Sequence, residues 1–403
     1  MSAALLAPAP PPAAAAPSAA PPPPLLVPQA DPGAGYRAQR DEIDAAVARA
    51  LASGWYILGA EGAAFEAEFA AWLGGEGGDG TRAVGCANGT DALALVLRGL
   101  GVGPGAAVAT VSHTAVATVA AVEMVGATPL LLDVEPDTLT MDPAELAEAL
   151  AAPPPGLPPI RAVVAVHLYG QACDLGAILP LCGRAGVPLV EDCAQCHGAE
   201  WRGRRLGTLG AAAAFSLYPT KNLGALGDGG VLATADAGLA ERVAAIRQYG
   251  WGRTRYVSDA VGVNSRLDEV QAAILRARLP RLDAANARRR AIAGAYDAAL
   301  AEASGALLPP ARREGATHVF HQYVVRSPAR DALAARLRAE GIGTGVHYPV
   351  PVHRQPAYAG RVPLGPARCA ETERAAREVL SLPMFPELTD AQVERVCAAL
   401  RSL

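Results

Sequence analysis

Between residues 82 and 250 the chain alternates. Short apolar runs at about 82–86, 106–111, 128–133, 160–166, 187–191, 211–217 and 230–234 are mostly separated by stretches with helical spacing. Leu93, Val96, Leu97 and Leu100 keep the i, i+3, i+4, i+7 interval that lays one buried stripe along a helix. This alternation predicts an α/β fold, a mostly parallel seven-stranded sheet between helices. Ligands on such sheets bind beyond the strand ends. After Gly250 the pattern changes. Residues 265–302 read as long helices, with the basic run Arg288–Arg290 on a solvated face. A strand from His318 to Val325 and helices near 330–340, 368–380 and 389–402 follow. The expected organisation is a large domain over 29–280 and a smaller C-terminal α+β domain over 281–403. A helix near 265–285 joins them, and the small domain closes over the substrate.

Composition bounds the rest. The chain has 403 residues, enough for a sizeable core. With 35 basic against 39 acidic residues, nothing suggests a nucleic-acid or membrane-surface partner. Residues 1–28 are almost wholly Ala, Pro, Leu and Val, with prolines at 21–24. No basic start marks a signal peptide, and proline breaks a helix, so this segment reads as a disordered tail. Seven scattered cysteines without an export signal predict reduced thiols and a cytoplasmic protein. Cys193-Ala194-Gln195-Cys196-His197 matches a haem-attachment pattern, but nothing else in the chain supports haem. No His/Cys/Asp set has convincing metal spacing, so no metal is expected.

The stretch Val187–Gly230 carries the chemistry. An apolar run ends in Glu191-Asp192, and a second, Ala211–Leu217, leads through Ser216 to Lys221 and a Gly-rich turn. On position alone Lys221 reads as a solvated loop lysine, and Asp192 reads equally as a helix cap. Together they suit another role. Pyridoxal 5′-phosphate (PLP) needs a lysine for its Schiff base and an acid at its pyridinium nitrogen. A lysine partly desolvated at a sheet end becomes nucleophilic towards a carbonyl. Asn88-Gly89-Thr90-Asp91 lies between a strand and a helix, where free N–H groups suit a phosphate. An ordinary capped helix start explains it as well.

These segments resemble the DegT/StrS family of PLP-dependent nucleotide-sugar aminotransferases. The resemblance is carried by Glu191-Asp192-x-x-Gln195-x-His197-Gly198, by Phe215-Ser216-x-Tyr218-Pro219-x-Lys221-Asn222-Leu223-Gly224 and by Gly227-Asp228-Gly229-Gly230. It extends to Gly54–Gly59, Asn88–Leu93, His167–Gln171, Asn264–Glu269, Gly343–Pro349 and Ser381–Met384, roughly everything after residue 30. It implies the type I aminotransferase fold, whose sheet has seven strands, and a homodimer with shared active sites.

By resemblance, Lys221 is the Schiff-base lysine and the general base and acid. Asp192 meets the ring nitrogen and Gln195 the 3-oxygen. Gly89, Thr90 and Ser216 hold the phosphate, with Asn264 reaching it from the partner subunit. An aromatic residue often follows the Ser-x-Thr segment and stacks on the ring. Here Ser112-His113-Thr114 is followed by Ala115, which cannot stack, leaving His113 as the candidate cover. Tyr218, His321, His347 and Tyr348 are candidate substrate contacts, while His167 reads as structural and His197 as a brace for the Asp192 loop. The partners implied are an amino-acid donor, glutamate first, and a nucleotide-linked keto-sugar. A subgroup acting on 3-keto-6-deoxyhexoses shares the Trp-bearing Gly54–Gly59 motif and a Ser-His-Thr segment. This implies amination at C3 of a dTDP-sugar. Alternatives are C4 amination, a sugar dehydratase (a group with histidine in place of the lysine) and a regulatory protein of the same fold without turnover.

Overall fold

A computed structural model describes residues 26–75, 80–252, 254–303 and 307–403. In chain order its strands are β1 (Arg82–Cys86), β2 (Ala107–Val111), β3 (Thr128–Leu132), β4 (Ile160–Val166) and β5 (Leu189–Asp192). Next come β6 (Glu200–Trp201), β7 (Arg204–Arg205), β8 (Ala212–Ser216), β9 (Gly230–Thr234), β10 (Tyr323–Arg326) and β11 (Val379–Leu382). The main sheet has seven strands in the order β1-β9-β8-β5-β4-β2-β3. Only β9 runs against its neighbours. All seven expected strands are therefore present. The β6–β7 hairpin was not expected, because two-residue strands carry no period to read.

Side chains alternate across the sheet, and each face has its own core. Val190, Ala212, Ala214 and Leu232 pack with Leu93, Val96 and Leu97 of the helix Gly89–Gly99. Leu189, Ala213 and Phe215 pack on the opposite face with Phe65, Phe69 and Leu73 of the helix Ala60–Gly74. Small residues in β8 let helices approach both faces closely.

The C-terminal part is built on the helix Leu282–Glu302 and the antiparallel pair β10–β11. Tyr296 and Tyr323 meet edge-on in its core, ring centroids 5.2 Å apart. The helix expected over 368–380 spans Ala370–Glu378 and gives way to β11, whose apolar Val-Leu-Ser-Leu pairs with β10. The strand expected from His318 starts only at Tyr323, because His318 is stacked on Phe320 at 4.0 Å in the preceding loop.

Of the tail expected over 1–28, residues 1–25 lie outside the described residues. The last positions are not tail: Val27 is fully buried, and the N–H groups of Leu26 and Val27 both donate to the Gly341 carbonyl. An apolar side chain and two N–H groups here find partners on the C-terminal part, which the proline-rich composition hid. Among the described residues no helix is long and apolar enough to cross a membrane.

One buried carboxylate ties distant segments together. Glu269 accepts from the N–H groups of Gly59 (2.8 Å), Glu61 (2.8 Å) and Gly62 (2.9 Å), filling the donors at the start of helix Ala60–Gly74. A Cβ at position 59 would lie 2.8 Å from Glu269 Oε2 and 2.6 Å from Trp55 Cδ1, so only glycine fits. Glu269→Ala strands three donors, two of them buried. The expected loss is on the order of 3 kcal/mol, read from the urea midpoint, with Glu269→Gln losing less.

Candidate active site

At the carboxyl ends of the central strands lies a crevice of about 490 Å³. Its walls include Gly89, Thr90, Thr114, Ala115, Thr118, Asp192, Gln195, Ser216, Tyr218 and Lys221. Three elements frame it: the N-terminus of helix Gly89–Gly99, the end of β5, and the loop after β8.

The helix end is shaped as an anion cradle. Asn88 caps the helix, its side chain accepting from Asp91 N–H at 2.9 Å. The N–H groups of Gly89 and Thr90 have no intrahelical acceptor. A Cβ on residue 89 would lie 2.6 Å from Ser216 Cβ, so glycine is required where helix and strand meet. Asp91 accepts from Ser265 Oγ (2.6 Å), and Ala87 N–H donates to the same oxygen (3.1 Å), which locks the turn.

Asp192 ends β5 on the face of Val190. It is buried, and burial raises its carboxyl above the usual value. Thr118 donates to Oδ2 at 2.8 Å and Ala194 N–H to Oδ1 at 3.1 Å, opposing the rise together with the Lys221 charge. Its neighbour Glu191 points to the other face. There it accepts from Gly207, Leu209 and Gly210 N–H groups (2.7–2.9 Å) and sits 3.1 Å from His167 Nε2. His167 Nδ1 accepts from Cys173 N–H at 3.0 Å, so this ring is structural, as expected. Cys193 Sγ also lies near the pair, but the Glu191 oxygens are already taken by backbone donors.

Lys221 follows the loop from β8, and its amine makes no ion pair with a described residue. Burial lowers its pKa to about 8, against an opposing pull from Asp192. Gln195 accepts from Tyr169 N–H at 2.7 Å and donates to Tyr348 Oη at 3.1 Å.

The remaining expected residues divide. Tyr218 lines the crevice and is half exposed. His321 and His347 line a second recess that meets the crevice only at Lys221. His321 Nδ1 lies 3.3 Å from Asn222 Oδ1, and His347 Nδ1 lies 2.8 Å from Ser381 Oγ. Asn264 borders a neighbouring hollow with Ala87, Asp228 and Arg266, outside its own chain's crevice. His113 is turned away: it is buried, its Nε2 lies 2.9 Å from Tyr169 Oη, and Thr114 and Ala115 face the crevice instead. Thr118 escaped the sequence reading. Its one signal was a second hydroxyl one helical turn after Thr114, the two bonded at 2.8 Å.

These residues fit PLP. The glycine-lined helix end suits its phosphate, the buried and undercompensated Asp192 suits a cationic ring N–H, and Lys221 suits its aldehyde.

The chain matches the DegT/DnrJ/EryC1/StrS aminotransferase family over residues 37–401. It belongs to that family. It is 47% identical to the dTDP-3-amino-3,4,6-trideoxy-alpha-D-glucose transaminase of Streptomyces venezuelae, covering 93% of this chain and 95% of that protein. It is 42% identical to the UDP-N-acetyl-3-dehydro-alpha-D-glucosamine 3-aminotransferase of Acidithiobacillus ferrooxidans, over 93% and 97% of the two chains. The crystal structure of S. venezuelae DesV aligns with a TM-score of 0.86 at 46% identity, covering 94% of this chain and 98% of that one. The protein is an aminotransferase of the PLP-dependent, type I fold class.

A lysine near pKa 8 makes capture of PLP pH-dependent. The neutral amine is the nucleophile, so the rate should climb about tenfold per unit at low pH and level off above about 8. Absorbance of the apoprotein mixed with PLP follows it; a rate still climbing past pH 9 contradicts the desolvated setting.

Proposed function

We propose that this aminotransferase moves an amino group from an amino acid, glutamate first, to C3 of a dTDP-linked 3-keto-6-deoxyhexose. The observation that carries the reading is the convergence of Lys221, Asp192, Gln195, Ser216 and the Gly89–Thr90 helix end on one crevice. Both relatives named above are named for an amino group at C3 of a nucleotide sugar, and the more similar one for a dTDP-sugar. Bound PLP supplies an electron sink that stabilises negative charge at the donor's α-carbon.

The chain's own groups do the rest. Asp192, held by Thr118 and Ala194 N–H, keeps a ring N–H protonated by charge pairing. Gly89, Thr90 and Ser216 would hold the cofactor's phosphate at the helix end. Lys221, neutral in an appreciable fraction near pH 7, takes the proton from the donor's α-carbon and later delivers one to the sugar carbon that receives nitrogen. Tyr218, and His321 and His347 on the other side of Lys221, contact the substrates. Lys221 stands where a dehydratase of this fold carries histidine, which favours amino transfer.

Subunit sharing fits the surface. Trp55, Tyr56, Ile57 and Leu226 are exposed around the start of the helix Glu269–Arg278, where Glu269 N–H donates to the Tyr56 carbonyl and Gln271 accepts from Leu226 N–H. Exposed Tyr249 and Tyr256 form a ring cluster on half-buried Trp251, with Arg255 over Tyr256 at 4.9 Å. Exposed aromatic and apolar side chains grouped in this way suit an interface. A second copy seated here brings Asn264 to the neighbouring phosphate site.

Holoenzyme should be yellow, glutamate should bleach it, and Lys221→Ala should show neither property. A bleached sample given dTDP-3-keto-6-deoxyhexose should regain colour and yield an amino sugar by mass spectrometry. A 4-keto sugar aminated faster corrects the carbon, and colour that no amino acid bleaches favours the regulatory reading. Mixing Lys221→Ala with Asn264→Ala protein should restore activity that neither has alone. Absence of such complementation in a verified mixed dimer removes the shared site.

A further inference from the structure

We infer that the recess beyond Lys221 is an oxyanion subsite, built by Arg278 and Arg289, that takes a carboxylate of the amino donor. The inference rests on the reading of the chain as an aminotransferase fed by an amino acid. The recess is about 180 Å³ and is lined by Lys221, Asn222, Arg278, Arg289, His321 and Glu387 among others. It shares Lys221, and no other lining residue, with the crevice. A ligand there lies beside the residue that joins the recess to the crevice.

Two guanidinium groups in this wall are incompletely satisfied. Arg289, 5% exposed, donates through Nη1 to the carbonyls of Phe320 (3.1 Å) and Met384 (2.9 Å), while its buried Nε has no partner. Arg278 donates through Nη1 to the Gly224 carbonyl at 2.6 Å, while its buried Nη2 has no partner. Buried cations with unclaimed N–H groups are costly unless an acceptor arrives. Burial lowers the pKa of both, Arg289 to about 10, against the pull of Glu387.

Charge counting gives the same answer. Arg281 is paired with Glu42, and Asp31 with Arg37. His321 and His347 are pushed towards the neutral form by burial. Glu387 makes no ion pair with a described residue, so it offsets at most one of the two arginines from a distance. One positive charge is left over beside Lys221. The volume is below the roughly 300–1,000 Å³ of pockets for larger ligands, which suits an amino acid better than a nucleotide. A carboxylate in the recess lies against both guanidinium groups, offsets the surplus positive charge and keeps the donor beside Lys221.

Calorimetry of holoenzyme with glutarate, an unreactive dicarboxylate, and separately with dTDP, tests this on wild type, Arg278→Gln and Arg278→Lys. Bleaching by glutamate is measured on the same samples, with cofactor absorbance confirming that each variant is loaded and folded. The expected result is glutarate affinity at least about tenfold weaker in Arg278→Gln, partly rescued in Arg278→Lys, with a matching rise in the glutamate concentration for half-maximal bleaching and unchanged dTDP affinity. Glutarate bound equally by wild type and Arg278→Gln, or not bound by wild type, overturns the subsite. Weakening of dTDP alone also overturns it and assigns the arginines to a phosphate. Bleaching that is normal in every variant removes the subsite and leaves the aminotransferase standing. Arg278-dependent glutarate binding without bleaching keeps the subsite and removes the glutamate-donor reading.

Discussion

The site depends on what happens to two successive carboxylates at the end of β5. Strand side chains alternate, so Glu191 and Asp192 must face opposite sides of the sheet. Glu191 is fully buried, and burial alone would keep it protonated. His167 and the backbone N–H groups of Gly210 and Gly207 reverse this and hold its carboxyl below the usual value. Three backbone donors and a histidine give Glu191 one orientation. That fixes the pleat, and with it Asp192 on the crevice side. The same alternation in β8 sets Ser216 on that face with Ala212 and Ala214. The short Ala side chains then let helix Gly89–Gly99 close in until residue 89 tolerates no side chain. One buried anion thus aligns the acid, the hydroxyl and the helix end.

A second constraint works at longer range. Glu269 caps a helix whose N-terminus lies some 210 positions earlier, and the three N–H groups it fills include Gly59. The flanking Asn264–Leu267 segment contributes Ser265 to the Asp91 turn. The Gly54–Gly59 and Asn264–Glu269 motifs are two halves of one hydrogen-bonded unit set beside the start of helix Gly89–Gly99. Substitution in either half disturbs the other, and the exposed aromatic surface rests on both.

Much of this was legible in the sequence because the signals are local. Seven apolar runs and the helical spacing between them gave the sheet, since strand and helix periods survive without knowledge of partners. Asp192 and Ser216 could be placed in the crevice because each ends such a run, and Gly89 and Lys221 because each lies in the segment that follows one. What failed to show depends on side-chain direction or on distant pairing. Thr118 reaches Asp192 only because two layers pack. His113 occupies the expected segment but swings to Tyr169, a partner 56 positions away. Val27 looked like tail because its neighbours are prolines, and its partner, Ile342, lies at the other end of the chain.

The surroundings of Lys221 show why a single labile proton can be kept there. His197, His321 and His347 all feel its charge, and all have lowered pKa values. Burial is the leading cause in each case, carrying His197 to about 3. His197 is fully buried, its ring 5.4 Å from Phe215 and both nitrogens without a partner. A protonated imidazole there would be both desolvated and repelled by the lysine. The histidines therefore stay neutral across the range in which Lys221 exchanges its proton. A proton leaving the amine therefore has no neighbouring histidine to settle on.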